Sequence, residues 1–267
     1  MARPSPQLLS ALRERIRAVE AGGAPSRVLP FGAASLDAAL PGGGLALGAL
    51  HEVAGAGADE EDGAVAAAFA AGILARLAAG GQGEGSWGEG GQVLWCLAGD
   101  DLYGPGLAAA GLAPPRLVVA RTRSDAETLW AMEEALRGRA VVGVLGAVAA
   151  LALAAGRRLQ LAAEASGVTA LVLRRWRTGE IAARQRGRPS AAATRWRVAA
   201  LPSLPPPGEP GIGRPRWRLE LLRCRGGSPG SWIVEGCDAS GHVALPAELA
   251  DRPDRTADRG ADRGGGR

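Results

Sequence analysis

Five short apolar runs, separated by segments of helical character, constrain this chain more than any other feature of its sequence. They are Leu50–Val53, Gln92–Leu97 (QVLWCL), Leu117–Ala120 (LVVA), Val141–Leu145 and Thr169–Leu173. Each has the length of a strand, and the later runs are apolar on both faces, as buried parallel strands are. Between them, Ala64–Ala79 reads as a helix that is apolar nearly all round and therefore buried. Gly104–Gly111 reads as a short helix. Ser124 caps a helix through Leu136, with Glu127 at the capping-box position. Arg157–Ser166 reads as an amphipathic helix. Strands alternating with helices at this spacing predict an α/β fold, with a mostly parallel sheet flanked by helices.

The ends read differently. Residues 6–20 predict an amphipathic helix with Leu8, Leu9, Leu12, Ile16 and Val19 on one face, ended by Gly22, Gly23 and Pro25. Arg195–Leu201, Arg216–Leu222 and Ser231–Glu235 alternate with a period near two, which predicts antiparallel strands appended at the C-terminal end. Residues 80–91 read as a surface insertion and 202–215 as a Pro/Gly-rich loop. Past Asp251 the chain is charged, Gly-rich and nearly free of large apolar groups, a composition of disorder. The expected organisation is an N-terminal helix and linker (1–26), a core domain (27–250) and a tail (251–267).

Composition excludes several classes. The 31 basic residues are all Arg. Residues 1–120 carry 7 Arg against 12 acids, while 121–250 carry 19 Arg against 11. A basic second half favours a polyanionic or acidic partner. Three cysteines without a CxxC, and two distant histidines, argue against a zinc site and a disulfide framework. Cys96, Cys224 and Cys237 read as small apolar residues, and a reducing, cytoplasmic setting is expected. The N-terminus lacks the apolar stretch of a signal peptide. Ala140–Gly156 has 17 residues without a charge, but its β-branched front and Ala/Leu back read as a strand entering a helix rather than a membrane span.

One loop carries the functional question. GAGADEEDGAV, Gly55–Val65, lies between a strand and a helix, where a phosphate-binding loop would sit. A working loop reads GxxxxGK[ST]: backbone N–H groups wrap the phosphates, Lys neutralises them, and a hydroxyl holds Mg²⁺. Here seven residues separate Gly55 from Gly63, and five separate Gly57 from Gly63. Ala64 takes the Lys place and Val65 the hydroxyl place. Asp59, Glu60, Glu61 and Asp62 would face a bound nucleotide, each like-charge contact at ~4 Å costing roughly 1–4 kcal/mol.

The order of elements resembles the RecA recombinase core. LPFGAASLDAALPGGGLALGALHEV is similar to that family's lead-in to the phosphate-loop strand, and VVGVLGAVAAL to its Walker B strand. LHEV, DDLYGPGL, TRWRVAALPS and RPRWRLELLRCRGGSPGSWIVE resemble more closely the ImuA (SulA-like) branch, over roughly residues 8–250. The resemblance implies a RecA-like (P-loop NTPase type) fold. It places Gly146 at the Walker B acid and Asp100 near the catalytic glutamate. Gly146 has no side chain to organise Mg²⁺, and Asp100 also reads as a helix cap or solvated turn. Neither ATP hydrolysis nor a cofactor is therefore expected.

From Arg174 to Arg197 there are eight Arg and one acid, Glu180. Its middle, TGEIAARQRGRPS, reads as polar and flexible. In RecA relatives the corresponding loop grips single-stranded DNA, which makes Arg184, Arg186, Arg188 and Arg195 candidate phosphate contacts. Trp176 and Trp196 either stack on bases or sit on strands of the sheet as core, each with an Arg on either side. The N-terminal helix packs in cis, on a second copy, or on another protein. The resemblance implies a non-enzymatic adaptor of SOS-induced translesion synthesis and mutagenesis. The implied partners are an ImuB-type polymerase-like protein and an error-prone DnaE-type polymerase, with RecA and single-stranded DNA as further contacts. A SulA-like cell-division inhibitor and a residual ATP-binding RecA-type protein are the alternatives.

Overall fold

The computed structural model describes residues 27–80, 91–205, 208 and 210–246. The helix expected at 6–20, nearly all of the 80–91 insertion and the tail lie outside them. Among the described residues there are ten strands: β1 (Val28–Leu29), β2 (Leu45–Ala46), β3 (Leu50–Gly55), β4 (Val93–Leu97), β5 (Leu117–Arg121), β6 (Gly143–Val148), β7 (Thr169–Arg174), β8 (Thr194–Leu201), β9 (Arg216–Cys224) and β10 (Gly230–Glu235). Six α-helices accompany them: α1 (Ala34–Asp37), α2 (Ala64–Ala79), α3 (Gly104–Ala109), α4 (Asp125–Gly138), α5 (Leu153–Ser166) and α6 (Gly179–Arg186). Strands β3 to β10 form one sheet in the order β10-β9-β8-β3-β7-β6-β4-β5. The run from β8 to β5 is parallel, and β9 and β10 are antiparallel. The expected α/β sheet with C-terminal antiparallel strands is present.

Strand alternation sorts the residues into two layers. Val53, Trp95, Leu145, Leu171, Trp196 and Leu219 pack with α2. Leu50, Cys96, Val144, Val172, Met132 and Leu159 form the layer under α4 and α5. Helix α2 is apolar all round because it is covered twice. The sheet takes one side; Phe31, Leu36 and Leu45 near the start of the described chain and Val243 near its end pack in the same cluster. Gly72 of α2 meets the Cys237 segment so closely that a Cβ would stand 2.4 Å from its Sγ. The helical stretch Asp59–Ala79 is long and apolar enough to cross a membrane, and 67% of that apolar window is buried inside this fold.

Four expectations are corrected. Strand β8 runs parallel to β3 rather than joining as an antiparallel appendage, with His51 opposite Thr194 and Gly55 opposite Val198. Only at its other edge does it pair antiparallel, with β9. The segment read as flexible is the crossover helix α6: Thr178 caps it by accepting from the Ile181 N–H, and Ala182 is buried against Ala54 and Trp176. Trp176 stands after β7 and not on a strand. Strand β6 extends to Val148, three residues past the expected end, where the apolar run continues into Gly146–Val148.

Candidate functional site

The loop leaves the C-terminal end of β3, makes one wide π-type turn at Asp59–Gly63 and enters α2. Two of its four carboxylates, Asp59 and Asp62, turn inward rather than toward a ligand, while Glu60 and Glu61 are exposed. Asp62 is buried at 9% exposure. One of its oxygens accepts from the Gly57 N–H at 2.8 Å and the other from the Ala200 N–H of β8, also at 2.8 Å. Glu61 reaches back to the Ala58 N–H at 3.3 Å. Asp59 takes the Arg175 guanidinium on both oxygens, at 2.6 and 2.7 Å from Nε, while its own N–H donates to the Trp176 carbonyl. Among the described residues, Glu60 alone of the four is exposed without a polar partner. Ala64 is exposed at the start of α2, and Val65 is packed against the core.

The glycines make room for these acids. A Cβ on Gly57 would lie 2.1 Å from Glu61 Oε2, and one on Gly63 would lie 2.3 Å from Asp59 Oδ1. A Cβ on Gly55 would meet Asp62 Cβ at 2.9 Å. Backbone donors that could hold an external anion therefore hold carboxylates of the same chain. A charged acceptor roughly doubles the strength of such bonds. Arg175 extends the closure by donating to Asp101 at 2.5 Å, beyond the end of β4. Burial works against its charge, but the bonds to Asp59 and Asp101 outweigh it and hold its pKa above the ordinary value.

The two further positions that the resemblance linked to a nucleotide, Gly146 and Asp100, fall elsewhere. Gly146 sits mid-strand, between Cys96 and Val172, and faces α4 rather than the loop. A Cβ there would be 2.2 Å from Met132 Sδ, so the position has no room for an acid. The carboxylate nearest the exit of β6 is Asp125, which accepts from the N–H groups of Ala149 and Ala150 at 3.0 and 2.8 Å. Asp100 is exposed and pairs with Arg121 across the ends of β4 and β5. It does not cap α3, whose N-cap is Tyr103.

The arginine-rich segment divides. Arg184 and Arg188 are exposed at the end of α6, and Arg184 lies 3.5 Å from the exposed Glu180. Arg186 is the last residue of that helix. Arg195 is turned inward: Nε is 3.5 Å from Glu52, and its terminal nitrogens donate to the Arg188 and Gln185 carbonyls. Trp196 has no exposed surface. It packs on Phe31 and Phe69 at centroid distances of 5.4 and 5.6 Å, so no base can reach its face. Trp176 is 5% exposed and likewise offers no stacking platform. Leu8, Leu9, Leu12 and Ile16 lie outside the described residues.

Two buried polar clusters were missed. Glu52, 2% exposed, sits under α6 with Arg174 and Arg195 each 3.5 Å from Oε2 and the Ser190 hydroxyl donating to Oε1. Burial pushes the Arg174 pKa down, against the opposing pull of Glu52. On the other face His51 is fully buried, with Nε2 2.8 Å from the Ala46 carbonyl and Nδ1 2.7 Å from the Thr194 hydroxyl. The Trp196 indole donates to that hydroxyl at 2.8 Å. The Ala46 carbonyl can only accept, so Nε2 carries the proton of the neutral ring and Nδ1 accepts from the Thr194 hydroxyl. Burial lowers the His51 pKa to about 4. The signal for both was in LHEV: adjacent titratable residues inside a strand that is otherwise apolar.

Comparison with known proteins gives no match to a family model. Protein ImuA of Caulobacter vibrioides strain NA1000 is 43% identical over 242 residues, covering 88% of this chain and 96% of the relative. Protein ImuA from C. vibrioides strain ATCC 19089 aligns with the same figures. The crystal structure of SulA from Pseudomonas aeruginosa superposes with a TM-score of 0.37 at 23% identity, covering 47% of this chain and 96% of that one. Identity at the level of the Caulobacter proteins, over nearly their full length, shows that the chain belongs to the ImuA family.

Proposed function

We propose that this chain is a non-catalytic adaptor of damage-induced translesion synthesis, a RecA-like core that works by contact and not by hydrolysis. The single observation that supports it most is Asp62. Its buried carboxylate takes the Gly57 N–H, a donor of the kind a phosphate-binding loop offers its ligand, and the Ala200 N–H of β8. A nucleotide would have to displace that carboxylate and approach Glu60 and Glu61 without a lysine to offset them. The vestigial loop, with Asp100 and Gly146, then has a structural task, and no cofactor is required.

In this reading residues 27–250 are the core, 1–26 an arm for protein contact through Leu8, Leu9, Leu12 and Ile16, and 251–267 a tail. Family membership supports partners of the mutagenesis cassette: an ImuB-type polymerase-like protein and a DnaE-type polymerase, with RecA beside them in the cytoplasm. Single-stranded DNA is held through Arg184, Arg186 and Arg188, two of which are exposed at the end of α6. Such contacts are electrostatic and independent of sequence.

Three measurements test it. Labelled ATP with Mg²⁺ is titrated into the protein; micromolar binding that is lost on altering residues 55–65 would overturn the non-catalytic reading. Anisotropy with a single-stranded oligonucleotide is compared between wild type and R184A/R186A/R188A. Three lost phosphate contacts reduce the slope of log K against log salt by about 2. Pull-downs with the cassette partners compare wild type with a chain lacking residues 1–24. Equal DNA and partner binding by all variants removes both proposed surfaces.

A further inference from the structure

The outer face of α4 and α5 is far from the loop and has no task in the reading above. Between the helices runs a groove of about 470 Å³, lined by Glu133, Arg137, Arg139, Arg158, Leu161 and Ala165 among others. That volume falls within the range of about 300–1,000 Å³ typical of binding clefts. Its lining is apolar along α5, and Leu161 keeps 64% of its surface exposed. Trp130 stands one turn before Glu133 on α4, 62% exposed, beside the groove in a neighbouring hollow with Arg123 and Glu127. Trp130, Glu133 and Arg137 on one helix, and Arg158, Leu161 and Ala165 on the other, follow the spacing that a third helix would read.

The charge selects the occupant. Three guanidinium groups line the groove against one carboxylate, Glu133, which is only 12% exposed beneath Arg137 and Arg158; Glu134, just outside the lining, also pairs with Arg137. Arg137 and Arg158 are each 60% exposed. Arg158 bonds Glu133 through Nε, and its two terminal nitrogens have no hydrogen-bond partner among the described residues. Arg139 occupies a left-handed backbone position, φ 52°, where glycine is usual. The strained residue carries a cation onto the Ala165 carbonyl at 2.7 Å, at the mouth of the same groove. Exposed Arg around an apolar floor, with the exposed Trp130 one turn along α4, is the composition of interaction hot spots.

We propose that this groove docks an acidic amphipathic helix of a partner protein, with apolar side chains on Leu161 and Trp130 and carboxylates on Arg137, Arg139 and Arg158. It adds a surface to the adaptor reading and rests on the protein-contact part of it.

The probe is a fluorescein-labelled helical peptide of about 16 residues, with Leu at i, i+3, i+4 and i+7 and Glu elsewhere, titrated by anisotropy into the full chain. The expected result is micromolar binding that weakens with salt and drops at least tenfold in L161D and in R137E/R158E. R116E makes a charge change on another exposed surface and should bind like wild type. Thermal melts confirm that each variant is folded. Equal binding by L161D and R137E/R158E would overturn the proposal. So would equal binding of the same peptide with Lys in place of Glu, or displacement of the acidic peptide by a single-stranded oligonucleotide. Pull-down with the cassette partners separates the two readings. Partners held equally by wild type and L161D remove the groove and leave the adaptor. Partners held by neither remove the adaptor, and the peptide titration still decides the groove.

Discussion

Replacing Asp62 with alanine tests the closed loop directly. The carboxylate accepts two backbone N–H groups at 2.8 Å from a position 9% exposed. A hydrogen bond to a charged acceptor contributes about 1.5–3 kcal/mol net, and removing the acceptor leaves both donors unsatisfied. The gross loss is then about 3–6 kcal/mol. Relief of the buried charge's own desolvation offsets part of it. The expected net destabilisation is about 3 kcal/mol, roughly a 150-fold change in the folding equilibrium. Asparagine keeps one acceptor but turns its amide toward the second donor, so D62N should cost about half as much. Equilibrium unfolding in urea, followed by tryptophan fluorescence, measures both. A second signature comes from the two freed donors, the Gly57 N–H of the loop and the Ala200 N–H of β8, which should take up an anion. Sulfate should therefore stabilise D62A more than it stabilises wild type, beyond its general effect on both. If D62A lies within about 0.5 kcal/mol of wild type and responds equally to sulfate, the carboxylate does not hold the loop. The argument for a self-filled anion site then fails.

Three further outcomes follow from the buried groups. His51 should make stability depend on pH. Its pKa is about 4 in the folded chain against 6.5 as a free side chain, so the unfolded state binds the proton first. Stability is fully present above pH 6.5, is lost progressively as pH falls to about 4, and changes by about 3 kcal/mol over that window; urea melts of wild type and H51Q across it check the slope, which H51Q should flatten. Trp196→Ala opens a cavity between Phe31, Phe69 and Trp232 and should cost about 3–5 kcal/mol; adding single-stranded DNA to W196F should give the same anisotropy curve as wild type. Gly146→Asp, which puts an acid where the resemblance implies the Walker B residue, drives its side chain into Met132 and Thr128. It should leave the chain unfolded or insoluble rather than competent for Mg²⁺, as circular dichroism and solubility would show.

The sequence by itself determined the elements and their class. Runs such as QVLWCL and TALVL are apolar on both faces, and that property is local, so they could only be buried strands; Ala64–Ala79 announced a helix covered on every side for the same reason. Motif spacing also showed that Lys and hydroxyl are missing from the loop. What only the tertiary structure decided were the facts that depend on which distant residue comes near. Alternation in TRWRVAAL marked one face of β8 as buried, yet pairing parallel to β3 is a choice among sheet edges that the strand does not encode. TGEIAARQRGRPS read as polar and flexible, yet Gly179–Arg186 within it is a helix because Ile181 and Ala182 found Ala54 and Trp176 beneath them. The four acids looked like a repulsive surface because charge is counted along the chain. In the fold, Ala200, 138 residues from Asp62, supplies one N–H, and Arg175, 116 residues from Asp59, supplies the guanidinium. An ionic or hydrogen-bonded partner acts through a few ångströms of space. Its identity is therefore settled by chain topology and not by sequence proximity.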